Sequence, residues 1–192
     1  MNFPLDFTFK VVAFAPQFSV TDSSGAELCY VRQKVFKLRE NIQVFKDSSQ
    51  KQLLSQIQAD RIIDFSAAYS FIDPEGMTYG SVKRKGLRSL WSTRYEVQDN
   101  GQDSYTIQED NPWVKVIDSL LGEIPILGIF TGYIFNPKYN VVNKQGQTCY
   151  VLSKKPSFFG RRFTLEQRQE TNDDLVIVMS LIMMILLERH RG

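Results

Sequence analysis

Acid–base and nucleophilic chemistry usually needs histidine, and this chain of 192 residues has one, His190, set between Arg189 and Arg191. A lone imidazole flanked by arginines reads as a solvated helix end and not as the base of a nucleophilic triad. No nucleophile elbow, phosphate-cradling glycine loop or metal-spaced Cys/His set occurs. Cys29 and Cys149 have neither ligand spacing nor the density of a disulfide scaffold. A reducing compartment is the simpler reading, with a single bridge between them left open. Asp22, Asp47, Asp73 and Asp99 all stand at turn-initiating positions, which already accounts for them. The run Asp99-Asn100-Gly101-Gln102-Asp103 resembles the start of a calcium loop. Ser104, however, stands at the sixth position, where that loop needs glycine, and Asp110 at the twelfth, where it needs glutamate, so a hairpin turn is the better reading. The expectation is no catalytic residue, no metal and no cofactor.

Anion binding is the chemistry with a local signal. Lys83-Arg84-Lys85-Gly86-Leu87-Arg88 is followed by Trp91 and Arg94. On a strand, alternation places Lys83 and Lys85 on one face and Arg84 on the other, with Arg88 and Arg94 near the rim, so several donors converge on one anion. Trp91 adds an aromatic of the kind that anchors at membrane interfaces. The candidate binding residues are therefore Lys83, Lys85, Arg88, Trp91 and Arg94. The competing reading is a solvated cationic strand end balanced by acids such as Glu75. Lys154-Lys155 and Arg161-Arg162, around Phe158-Phe159, form a second and weaker basic set. The formal net charge of +2 gives no global field of the kind a non-specific nucleic-acid binder carries, so any anion site is local and no specific nucleic acid is expected.

The elements that must position these cations announce themselves through turns. Asp22-Ser23-Ser24-Gly25, Asp47-Ser48-Ser49-Gln50, Asp73-Pro74-Glu75-Gly76, Asp99-Asn100-Gly101 and Asn143-Lys144-Gln145-Gly146 share one form. Each opens on an acid or amide able to bond its own backbone, and most close on a glycine able to take positive φ. The first four recur about every 25 residues, the period of a two-stranded unit. Their flanks alternate as half-buried strands do: Tyr69 and Phe71, Tyr95 and Val97, Tyr105 and Ile107. Gly25 leading to Cys29-Tyr30-Val31 and Gly146 leading to Cys149-Tyr150-Val151 look like an internal duplication. With 14 Phe and 8 Tyr, the composition fits a mainly β chain.

Two helices are expected. Asn111-Pro112 reads as an N-cap and first position, and Trp113, Val116, Ile117, Leu120 and Leu121 recur at helical spacing up to Gly122, giving a short amphipathic helix near 112–121. The stretch after it, broken by Pro125, Gly128 and Gly132, reads as a buried connection. Near the end, Thr171-Asn172-Asp173-Asp174 offers a cap and two acids for a helix dipole, and Leu175 to Leu187 has Ser180 as its only polar residue. That stretch rises about 20 Å, short of the roughly 30 Å of a bilayer core, so it reads as a buried core helix inaccessible to solvent from Leu175 to Leu187. A helix apolar on every side must be surrounded on every side. A hairpin meander that closes into an antiparallel barrel around it does this and also removes the sheet edges. One domain over 1–192 is expected. The first residues, Met1 to Lys10, develop no apolar signal-peptide core, so the expected location is cytoplasmic, with peripheral membrane contact at most.

At this point the residues resemble a known family. The Asp-opened hairpin of Asp22 to Lys34, the run Val35-Phe36-Lys37-Leu38 leading to Val44-Phe45, and the hydrophobic final helix are similar to the tubby C-terminal-like superfamily, within it to the LURP-one-related and phospholipid-scramblase-like branch. The resemblance implies a twelve-stranded barrel around a central C-terminal helix. It also implies a non-enzymatic binding module for anionic phospholipid or phosphoinositide head groups at a membrane surface. This chain lacks a Pro-rich N-terminal extension, a Cys-rich palmitoylation cluster and a residue-by-residue match to the tubby lipid site. A protein-interaction scaffold and an unrecognised enzyme are the alternative readings.

Overall fold

The computed structural model describes residues 1–10, 17–33, 41–60, 67–85, 94–110, 137–155 and 162–189. The strands are β1 (Leu5–Phe9), β2 (Gln17–Thr21), β3 (Glu27–Gln33), β4 (Asn41–Phe45), β5 (Leu53–Ala59), β6 (Ala68–Ile72), β7 (Thr78–Arg84), β8 (Arg94–Asp99), β9 (Gln102–Glu109), β10 (Lys138–Asn143), β11 (Thr148–Lys155) and β12 (Arg162–Gln167). Each pairs antiparallel with its neighbours in sequence, and β1 also pairs with β12, with Leu5 opposite Leu165 and Phe7 opposite Phe163. The barrel is closed, and none of the described strands is left as an open edge. The expected short helix near 112–121 lies outside the described residues.

Five hairpins, β2–β3, β4–β5, β6–β7, β8–β9 and β10–β11, bring their turns to one end of the barrel, here the turn end. The turns owe their shape to the residue that opens them. The Asp22 carboxylate accepts from the backbone N–H groups of Ser24 and Ala26, that of Asp73 from Met77, and the Asn143 side-chain carbonyl from Gln145 and Gln147. Asp99 differs, heading a tight turn in which Asn100 and Gly101 both take positive φ, as the two-residue hairpin requires. Gln50 adopts φ 57° where Gly25, Gly76 and Gly146 stand in the sister turns, a conformation costing a residue with a Cβ roughly 1 kcal/mol.

Every one of the five hairpins also carries a one-residue bulge just after its turn, leaving Leu28, Leu54, Tyr79, Ser104 and Cys149 as the extra residue of the second strand. Bulges sharpen local twist, which is what a sheet needs in order to curl shut. They also correct the expected duplication. Val20 faces Cys29 and Val141 faces Tyr150, so Cys29 matches Tyr150 in position and Leu28 matches Cys149. The shared Cys-Tyr-Val triplet is therefore offset by one residue, and the real repeat is the turn with its bulge.

The interior is filled by α1 (Asp174–Arg189), buried on all sides from Val176 to Leu186. Phe7, Phe18, Ile42, Ile57, Phe71 and Ile107, all fully buried, alternate inward from the wall to meet it. Ser180, the single polar residue of the stretch, donates its hydroxyl to the Val176 carbonyl at 2.8 Å, so its burial leaves no donor unpaired. The helix ends are less covered than expected: Leu175 is 37% exposed and Leu187 is only partly buried. Both ends are tied to the wall by tyrosines. Tyr105 donates to Asp173 (2.8 Å) and Tyr150 bonds Asp174 and Thr171 at the turn end, while Tyr95 donates to Glu188 (3.1 Å) at the far end. No helix among the described residues is long and apolar enough to cross a membrane.

Candidate functional site

Because β7 alternates, Thr78 to Arg84 points Gly80, Val82 and Arg84 inward and leaves Lys83 outside. Lys83 and Lys85 are exposed, and Arg94, opening β8, lies beside them, its carbonyl accepting from the Lys85 N–H. Arg84, by contrast, is 6% exposed and sits inside the wall with its guanidinium 6.0 Å from the Tyr95 ring centroid, a cation–π contact. Arg88 and Trp91 fall outside the described residues. The structure therefore brings three of the five candidate residues together on two adjacent strands.

The counter-charge of this patch is Glu96, not Glu75. Glu96 is opposite Lys83 in the β7–β8 register and forms an ion pair with Lys85, whose side chain remains 58% exposed. An exposed pair of this kind contributes little to stability, so Lys85 can exchange Glu96 for another anion at small cost. Glu75 sits in the β6–β7 turn, at the opposite end of the strand. In the second basic set, Lys155 and Arg162 are cross-strand partners and both exposed, Lys154 is partly buried, and Arg161 lies outside the described residues.

A cleft of about 410 Å³ at the turn end escaped sequence reasoning, because its walls come from the β10–β11 turn, β9 and the stretch before α1. Tyr105, Asn143, Lys144, Cys149, Gln169 and Asp173 line it. These are amides, hydroxyls and single charges, without a base set against a nucleophile. The Cys149 thiol donates to Gln147 O at 3.7 Å or Gln169 Oε1 at 3.6 Å, and burial pushes it up against the opposing effect of Asn143, which keeps it protonated and unreactive. Among the described residues no group of three His, Cys, Asp or Glu side chains could hold a metal ion. Residues 99–103 form the β8–β9 hairpin turn and the strand ends beside it.

Burial also pushes the Tyr95, Tyr105 and Tyr150 phenols above their usual value of 10, with the carboxylates of Glu188, Asp173 and Asp174 adding to the effect. Cys29 is pushed up to about 12 by burial and by Glu27. An acid whose folded value is raised stays protonated in the fold while the unfolded chain ionises. The stability it contributes is therefore fully present below the ordinary value and is lost as pH rises through the raised one. The urea midpoint is expected to stay level up to about pH 9 and to fall above it, with the tyrosinate absorbance of Tyr95, Tyr105 and Tyr150 appearing only as the protein unfolds. Ionisation of all eight tyrosines near pH 10 in the folded protein would contradict this burial.

A family model described as LURP-one-related matches residues 27–186. No curated protein and no solved structure matches the chain.

Proposed function

This chain belongs to the LURP-one-related family, and on that premise we propose that it is a non-enzymatic, tubby-like binding domain that docks on anionic phospholipid head groups at a membrane surface. The observation that carries this reading is the exposed cluster of Lys83, Lys85 and Arg94 on adjoining strands, with Glu96 as its exchangeable counter-ion. The helix fills the barrel interior, so a ligand meets the outer wall. Binding at such a surface is electrostatic, reversible and peripheral. Arg88 and Trp91 belong to the same sequence segment and are proposed to extend the site.

Co-sedimentation with phosphatidylcholine vesicles, with and without phosphatidylserine or a phosphoinositide, tests it. Each cation at an anionic surface contributes about 1 kcal/mol, so replacing Lys83, Lys85 and Arg94 together with Ala is expected to weaken binding roughly a hundredfold while thermal unfolding stays unchanged. Glu96→Gln is expected to strengthen binding about fivefold by removing the competing acid. Binding to neither vesicle would remove this reading and leave a protein-interaction scaffold in its place.

A further inference from the structure

The five turns of the hairpins are built on Asp and Asn, because those side chains bond their own backbone, so the turn chemistry makes that end of the barrel acidic. Asp22, Asp47, Asp73, Glu75 and Asp99 all lie there, and Glu27, Glu166 and Glu170 add to them. Hydrogen bonds from Ser24 and Ser49 hold the Asp22 and Asp47 carboxyls below their usual range, which keeps them charged at any physiological pH. Lys46, Lys51, Lys144 and Arg168 offset only part of this.

The far end carries the opposite sign. Arg162 opens β12 opposite Lys155 on β11 and Thr8 on β1, and Lys10 follows β1. Lys138 opens β10, and beyond β9 come Arg94 on β8 with Lys83 on β7 and Lys85 just after it. All of these cationic side chains are exposed. In the closed order β1-β12-β11-β10-β9-β8-β7 they lie on one arc of neighbouring strands, interrupted among the described residues by Glu96 on β8, the partner of Lys85, and by Asp110 just after β9, while Glu109 is buried. Asp60, an exposed acid at the same end, follows β5, off the arc. Strands are spaced about 4.8 Å apart, so successive cations fall within or near the Debye length of about 8 Å and act together.

We propose that the two basic sets are one surface: a cationic arc on the far rim of the barrel that seats it end-on against an anionic membrane, with the acidic turn end held away. The net charge of +2 conceals this polarity, which arises from strand order. The proposal rests on the head-group reading above and extends it from one strand pair to the rim.

Three triple-glutamine variants test it on vesicles of phosphatidylcholine containing phosphatidylserine: Lys83, Lys85 and Arg94; Lys138, Lys155 and Arg162; and, at the turn end, Lys46, Lys51 and Lys144. Glutamine keeps the side-chain stem, and a thermal melt of each variant verifies the fold. Both rim variants are expected to lose roughly a hundredfold in affinity, and the turn-end variant less than about twofold, because strand lengths put it more than a Debye length from the surface. Retention of full affinity by the Lys138, Lys155 and Arg162 variant would overturn the arc while leaving the β7–β8 site standing. Equal losses from all three would overturn it in favour of diffuse attraction, and no binding by the unaltered protein would overturn both readings.

Discussion

Replacing Met183 with Lys is expected to leave the chain unable to fold cooperatively. Met183 is fully buried in the middle of α1, with the barrel wall on every side. An ammonium there has no partner within the apolar core, and an uncompensated buried charge costs several kcal/mol, against a total stability on the order of 5–15 kcal/mol for a domain. Neutralising the lysine only exchanges that cost for the free energy of deprotonation. Met183→Leu keeps the volume and is expected to cost less than about 1.5 kcal/mol, which separates the effect of charge from that of shape. Truncation before Leu175 removes the same core outright and is expected to give insoluble protein. Urea titration followed by circular dichroism checks all three, and a soluble Met183→Lys protein with an unchanged midpoint would contradict a helix-filled barrel.

Gly80→Val is expected to destabilise the fold by about 1–3 kcal/mol, although glycine is a poor strand residue. Gly80 points inward on β7, where α1 comes close to the wall. A Cβ at that position would lie 3.1 Å from the Gln98 backbone oxygen, 3.1 Å from Cγ1 of Val176 and 3.2 Å from the Phe71 ring. The backbone oxygen cannot move without breaking the β7–β8 pairing, so the helix must shift at its first buried turn. Gly80→Ala recovers about 0.5–1 kcal/mol of backbone entropy against a milder clash, and its net loss is expected to be smaller. Urea midpoints of the two variants check this, and a Gly80→Val protein as stable as the original would mean that the helix does not lean on β7.

Much of this fold was legible because its signals are local. An Asx residue, in most cases followed by a glycine, marks each turn, and a stretch with no polar face, Leu175 to Leu187, has nowhere to go but inside a closed sheet. The strand count came from the family resemblance. What stayed hidden depends on pairing. A bulge such as Leu28 shows in sequence only as a slip in alternation, and the offset of Cys29 from Cys149 needs the register to expose it. Alternation placed Arg84 opposite Lys83 and Lys85, but Glu96 could not be named as the counter-charge because it sits on the next strand. Asp173 and Asp174 looked sufficient as dipole acids, and their bonds to Tyr105 and Tyr150 join residues far apart in the chain. The kinship of Lys155 and Arg162 with Lys83 and Arg94 likewise appears only once the strand order is closed.

The salt dependence of vesicle binding bears most directly on function at a charged outer surface. Affinity for phosphatidylserine-containing vesicles should be measured from about 0.05 to about 0.5 M sodium chloride, over which the Debye length contracts from roughly 14 Å to roughly 4 Å. The expected result is a steep, continuous loss of affinity, with no binding to phosphatidylcholine alone at any salt. Affinity that holds level across that range, or equal affinity for the uncharged vesicle, would contradict a cationic docking surface and point to apolar insertion instead.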